Sequence, residues 1–330
     1  MIVPTYNRSS LLIGALESVW AQTHRPIELI VIDDGSTDDT RTAVEAWQST
    51  HGGEEGFTSR YVQQSNRGPA AGRNRGLALA RGEYIQFLDS DDRLHPEKLA
   101  AQASVLNAEP GFDAVIAPVA FLDDRGRPNL DKPVMDRQTD EDLPCYLCRN
   151  DIAVHAPLHR RRLLEGLGGF NEGLFHSEDV DLHLRLALAG ARFGSVPKIL
   201  AWVPRHDERS RVSHRLLAAG PDFERNFYLR ILDFGRSRGA ATPQFRAALS
   251  ERLVSISRRY YGALRPQTAR ICLLTAQEIC PEARSFSISF DLTPVGSAVT
   301  VGVEVVRRVV GSAWRWLRRT RHPRGVWTNG

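Results

Sequence analysis

The first hundred residues alternate short apolar runs with segments patterned as helices, and this alternation restricts the fold more than any other feature of the chain. The opening MIVPT reads as a strand. In SLLIGALESVWAQ, Leu12, Leu16, Val19 and Trp20 fall at helical spacing on one face. IELIVID has the continuous apolar character of a strand covered on both faces. After the DGSTDD turn, Ser36 or Thr37 is placed to cap a helix running to Trp47. SRYVQQ is a weaker strand, AAGRNRGLALA a helix closed by Gly82, and EYIQFL another strand. Strands separated by helices predict an α/β fold with a Rossmann-like, mostly parallel sheet flanked by helices.

Such sheets bind ligands at the carboxyl ends of their strands. The clusters TYN, DDGS and DSDD follow the first, second and fourth strands, so one crevice collects all three. Three carboxylates within four positions, Asp89, Asp91 and Asp92, repel one another unless a cation joins them. Neither G-x-G-x-x-G nor G-x-x-x-x-G-K-[ST] occurs, which argues against a nicotinamide dehydrogenase or a P-loop enzyme. A divalent cation held by carboxylates is another way to grip a diphosphate. Mg²⁺ and Mn²⁺ prefer oxygen ligands, and Asp89 and Asp91, separated by the small Ser90, suit them. The competing reading is a solvated turn in which Asp92 and Glu97 favour the next helix start. The position after a buried strand, in register with DDGS, weighs for the cation.

At 330 residues and 42% hydrophobic content, the chain fills one large domain plus an appendage. No run of about 18 apolar residues and no signal-peptide pattern is present, so a cytoplasmic location is expected. Cys145, Cys148, Cys272 and Cys280 then read as reduced thiols, and the CxxC spacing of the first two has no second pair to complete a zinc site. All but three of the 43 basic residues are arginine, the exceptions being Lys98, Lys132 and Lys198. No nucleic-acid-reading module accompanies them, and basic charge alone provides only salt-sensitive, nonspecific affinity, so nucleic acid is not expected as a partner.

VPTYNR, VIDDGSTDDT, NRGPAAGRNRGLALARGEYIQFLDSDD, GGFNE and SEDVDLHLRLALAG, in this order, resemble the inverting family 2 glycosyltransferases of GT-A fold over residues 1–213. The resemblance implies transfer with inversion from a nucleoside diphosphate sugar, UDP favoured, to a hydroxyl acceptor, with Mn²⁺ or Mg²⁺ as cofactor. Polysaccharide, glycolipid or cell-envelope glycan synthesis is the implied setting. By the match, Pro4, Thr5 and Tyr6 line the nucleotide pocket with Asp34, which would accept from base or ribose. Arg73 falls in the segment approaching the nucleotide, and Asp89, Ser90 and Asp91 occupy the DxD positions, Asp91 as metal ligand. Asp179 corresponds to the general base, the alternative for Glu178 and Asp179 being a capping role at a helix N-terminus. Asp181 reads as the structural partner of Arg185 one turn on. His206 matches a metal or diphosphate contact, its alternative being an ordinary surface histidine, and Arg211 is a weaker candidate of the same kind. Gly168 and Gly169 would let backbone approach the donor sugar. Family members usually carry several residues before the equivalent of Pro4, so the first strand is expected to be short here and the natural start to lie upstream. A catalytically silent nucleotide-sugar-binding module is the alternative function, against which the SED acids count.

Residues 214–330 are expected to form a helical extension, with FERNFYLRIL and RAALSERLVSISRRYYGAL as helices. In the tail, Val303, Val306, Val310, Ala313 and Leu317 form an apolar stripe among arginines, flanked by Trp314 and Trp316. This pattern fits a peripheral contact with an anionic membrane, which would place the protein at the inner face of the cell membrane and suit a lipid-linked acceptor. It fits equally a helix packed on the domain with a solvated basic face.

Overall fold

The computed structural model describes residues 1–123, 125–128, 142–204 and 222–281. The chain begins β1 (Ile2–Thr5), α1 (Ser9–Trp20), β2 (Ile27–Asp33), α2 (Thr40–His51), β3 (Phe57–Gln63), α3 (Pro69–Leu79), β4 (Tyr84–Ile85). β1, β2 and β3 are parallel neighbours with Thr5 opposite Asp33. Past β4 the backbone stays beside β1: Ile2 N donates to Gln86 O at 2.9 Å, and Leu88 N to Ile2 O at 3.0 Å. The ends of β1, β2 and the 84–88 segment therefore point the same way. TYN, DD and DSDD emerge at one rim, as the alternation predicts.

Two glycines position α3. A Cβ on Gly76 would lie 2.3 Å from Cγ2 of Ile2, and one on Gly72 would lie 3.3 Å from Cβ of Pro4. Their bare backbones let the helix rest directly on β1 and carry Arg73, between them, to the rim.

The second half is mixed rather than parallel. It comprises β5 (Arg93–Leu94), α4 (Lys98–Ala108), β6 (Ala114–Ile116), β7 (Val119–Phe121), α5 (Leu143–Arg149), β8 (Pro157–Arg160), α6 (Arg161–Gly166), α7 (Glu178–Leu188), β9 (Phe193–Ser195) and β10 (Ala201–Val203). β8 runs antiparallel between β4 and β6, and β9 is parallel to β6. β10 lies between β5, antiparallel, and β7, parallel. The extension follows as α8 (Phe223–Ser237), α9 (Pro243–Gly262) and α10 (Pro266–Ile279). Arg230 of α8 reaches Asp181 of α7 at 3.4 Å, and Arg149 of α5 pairs with Glu251 of α9 at 2.9 Å, so the helices dock on the sheet domain. All four cysteines are buried free thiols. The expected domain boundary near residue 213, His206, Arg211 and the amphipathic tail lie outside the described residues.

Two local expectations are corrected, and the competing helix-start reading of Asp92 is not met. Ser36 and Thr37 do not cap α2, which starts at Thr40. Asn7 recruits them instead: its N donates to Ser36 Oγ at 2.9 Å and its Oδ1 accepts from Thr37 N at 2.7 Å. α3 ends at Leu79, where Ala80 turns extended (φ −70°, ψ 139°), so Gly82 does not close it. Asp92 leads into β5 and not into a helix, and its buried carboxylate lies 3.0 Å from Nδ1 of His155.

The sheet core encloses His159 of β8 and His183 of α7, stacked with ring centroids 5.8 Å apart. Burial pushes both imidazoles down; Arg73 adds to the effect on His183, which falls to about 3, while His183 and Lys98 add to that on His159. The unfolded chain takes up protons below about pH 6.5 that the folded one refuses, so stability is full above that pH and declines below it. For His183 alone the loss at pH 5 is about 2 kcal/mol. Urea unfolding at pH 7 and pH 5 should show this loss, and His183→Gln should reduce it. An equal pH dependence in the variant would contradict the assignment.

Candidate active site

Each element delivers one part of the rim. At the end of β1, Pro4 and Thr5 are buried, Thr5 Oγ1 has no hydrogen-bond partner, and Tyr6 is 45% exposed. At the end of β2, Asp34 is buried with all its reach directed at one loop: Oδ1 accepts from Gln64 Nε2 at 2.8 Å and Arg67 N at 2.9 Å, and Oδ2 from Gly68 N at 2.7 Å. Asp34 thus shapes the 64–68 turn that starts α3. Asp33 beside it accepts from Ser36 N at 2.7 Å and from the Tyr61 hydroxyl.

Arg73 is the hub. One guanidinium nitrogen donates to Asp89 Oδ1 and another to Glu178 Oε1, both at 2.7 Å. Its carbon lies 5.3 Å from the ring centroid of Phe170, in the GGFNE segment. Burial opposes the charge, but Asp89 and Glu178 overcome it and raise the arginine above its ordinary value. Burial likewise opposes ionisation of Asp89, yet Arg73, His155 and Arg8 hold it below the usual carboxylate range. One buried cation therefore joins the DxD loop to the first acid of SED. No local pattern announces this linkage, because 105 positions separate Arg73 from Glu178.

The GGFNE segment is clamped to α3. Asn74 donates to Phe170 O at 2.9 Å and accepts from Phe170 N at 2.8 Å. Gly168 and Gly169 both take left-handed φ (76° and 70°), and a Cβ on Gly169 would lie 2.4 Å from Asn74 Oδ1. The paired glycines are thus required by close packing against α3 as well as by the turn.

Asp179 stands in the first turn of α7, after Ser177 in left-handed conformation (φ 59°). It is half-buried, and its Oδ1 accepts only from its own neighbour, Val180 N, at 2.8 Å. Burial, then the charge of Glu178, push it up to about 7 against the opposing pull of Arg73. Asp181 behaves differently. It is fully buried, pairs with Arg185 at 2.6 Å and with Arg230 at 3.4 Å, and so holds α7 in place. The expected pairing is present, and it lies in the interior.

Asp89, Asp92 and His155 each offer an atom within 4.8 Å of the others, a carboxylate-rich set of the chemistry that Mn²⁺ or Mg²⁺ accepts. Asp92 and His155 are buried, whereas the side chains of Asp89 and Asp91 keep 36% and 13% exposure. A cation that also meets a diphosphate needs open positions, which the partly exposed Asp89 offers; Asp91, paired with Arg8, is not part of this three-residue set. Ser90 is buried between them. Asp91 Oδ2 lies 2.6 Å from Arg8. A small cavity of about 130 Å³ at the opposite end of β4, among Glu83, Arg160, Arg161, Arg162 and Glu165, is braced by internal ion pairs and lies away from this chemistry.

Residues 1–164 match the family profile described as Glycosyl transferase family 2. The chain is a member of glycosyltransferase family 2. An uncharacterised glycosyltransferase of Rickettsia felis is 44% identical over 102 residues, 31% of this chain and 16% of that protein. The chondroitin synthase of Escherichia coli is 27% identical over 213 residues, 64% of this chain and 29% of that one. The chain thus spans a minor part of the length of these curated relatives. Residues 1–349 of TarS from S. aureus, solved with UDP-GlcNAc, superpose with a TM-score of 0.56 at 20% identity, covering 91% of this chain and 99% of that one. This likeness identifies the GT-A fold in the family 2 chain. No helix among the described residues is long and apolar enough to cross a membrane.

Proposed function

We propose that this family 2 chain is a metal-dependent, inverting glycosyltransferase moving one sugar from a nucleoside diphosphate sugar, UDP favoured, to a hydroxyl of a saccharide or lipid-linked acceptor. The observation that carries the reading is the Arg73 bridge, which puts the DxD loop and the acids of α7 in one connected site. The complex of TarS with UDP-GlcNAc supports the nucleotide, and the chondroitin synthase relative supports glycan synthesis.

In this reading Tyr6 and the 64–68 turn shaped by Asp34 face the nucleotide. Asp89 and Asp91 hold the divalent cation, which when bound offsets negative charge developing on the leaving diphosphate. Asp179 removes the proton of the acceptor hydroxyl from the face opposite the leaving group. Its raised value matches that task, since a carboxylate titrating near neutrality is a stronger base than an ordinary one. The charge of Glu178, held beside it by Arg73, contributes to that elevation. The competing module without catalysis has no use for such a base. His206 remains proposed as a metal or diphosphate contact, and the basic tail as a contact with anionic membrane at the inner face.

A panel of nucleotide sugars tested by thermal shift, with and without Mn²⁺, checks this reading. A ligand that binds only the folded state stabilises it by about 2.7 kcal/mol at a hundred times its dissociation constant. The expected result is an upward shift with UDP-sugars that requires Mn²⁺. No shift with any nucleotide sugar would overturn the proposal.

A further inference from the structure

Arg8 is assigned no role by the motifs, yet its position is tightly determined. Asn7 before it takes left-handed backbone (φ 50°) and bonds Ser36 and Thr37, while Ser9 N after it donates to Asp38 Oδ2 at 3.3 Å. The turn between β1 and α1 is thereby pinned to the turn after β2 on both sides of Arg8. Its guanidinium is aimed across the rim to Asp91, at 2.6 Å.

The two DxD acids therefore each hold an arginine, but the two pairs differ. Arg73 has only 5% side-chain exposure and also serves Glu178, so it is a permanent part of the wall. Arg8 keeps 20% exposure on a flexible stem projecting from a turn. It neutralises the carboxylate that would face a divalent cation. A cation of twice the charge arriving at Asp91 repels the guanidinium and competes for the same oxygen. Once displaced, that guanidinium stands beside a metal-bound diphosphate, whose oxygens suit its planar fork of donors.

We propose that Arg8 is a donor-binding residue that holds Asp91 while the metal is away, yields it to the incoming cation, and then donates to the diphosphate. This rests on the glycosyltransferase reading above and adds a residue and an order of events to it. The ion pair stabilises the acidic rim before the donor arrives, and it makes metal and donor binding cooperative. Metal alone must break the pair, whereas metal with diphosphate offers Arg8 a new partner.

Binding of Mn²⁺ alone, followed by calorimetry or by the spin signal of the free ion, tests this without any transfer assay. Arg8→Ala should bind Mn²⁺ roughly three- to tenfold more tightly than the wild type, the range expected for removing a partly exposed competing ion pair. At saturating Mn²⁺ the same variant should bind UDP roughly tenfold more weakly, about the value of one charge-assisted contact. Arg8→Lys, which keeps the charge without the fork, should fall between the two in both measurements. In an Asp91→Asn background the gain in Mn²⁺ affinity should vanish, because the residue competed for is gone. An unchanged Mn²⁺ affinity in Arg8→Ala, a gain that persists in Asp91→Asn, or undiminished UDP binding would each overturn the proposal. A wild-type protein binding no Mn²⁺ with or without UDP would remove the metal site itself, a failure distinct from normal wild-type binding that Arg8→Ala leaves unaltered.

Discussion

Asp179→Asn is expected to lower sugar transfer by about 10²–10⁴-fold, the usual contribution of a positioned proton acceptor, while donor affinity stays close to the wild-type value. The side chain keeps its shape and its bond from Val180 N, so the fold should not register the change. Only basicity is lost. The pH profile of the wild type provides a second readout from the same residue. With Asp179 pushed up to about 7, the protonated form predominates below that pH and cannot accept the acceptor's proton. The rate should therefore rise about tenfold per pH unit on the acid side and level off above about pH 7. Glu178→Gln, which removes the nearest like charge, should move that rise to lower pH. Equal losses of transfer and donor binding in Asp179→Asn would place the residue in donor binding instead. A flat profile from pH 5 to pH 8 would contradict its assignment as the base.

Arg73→Ala should be the most destabilising substitution in the site. It leaves Glu178 buried without its counterion and deprives Asp89 of the charge that outweighs its burial. Removing one partner of a buried ion pair costs about 3–5 kcal/mol. The lower end applies here, because Asp89 is a third exposed and solvent screens part of the loss. Urea unfolding should show a loss of about 3 kcal/mol, and donor binding should fall with it as the DxD loop loses its anchor. Arg73→Lys should recover only part of this, since a single ammonium cannot reproduce two parallel donations to separate carboxylates. In Arg73→Ala/Glu178→Gln, some stability should return because the stranded charge has been removed. A loss below about 1 kcal/mol in Arg73→Ala would mean that the bridge is not a structural hub.

The sheet half of the fold was legible because each element carries its own periodic pattern. β1, β2 and β3 with their helices lie where the apolar runs put them, and Leu12, Leu16 and Val19 are buried as their spacing requires. Among residues 142–204 the pattern was weaker. Strands such as β9 and β10 have three residues each, too few for a period to register, and the antiparallel entry of β8 depends on partners far away in the chain. The rim acids were found because the ends of buried strands announce themselves in sequence. Arg8 and His155 were not, since a single arginine after TYN or a single histidine before a strand has no local signature of its partner. Local capping failed for a related reason. Ser36 and Thr37 looked like caps for α2 until Asn7, 29 and 30 positions away, claimed them.

From the residues alone came the α/β alternation, the gathering of TYN, DDGS and DSDD at one rim, and the suitability of Asp89 and Asp91 for a cation. Those follow from short-range periodicity and from chain direction, which are properties of neighbouring positions. Only the folded chain decided which cation neutralises which acid. Arg73 came to serve Asp89 and Glu178 together, and Arg8 to cover Asp91, because the bare backbones of Gly72 and Gly76 set α3 down on β1 and the Asn7 turn is pinned to the turn after β2. Charges interact through distance in space, and over 105 positions of sequence that distance is set by packing.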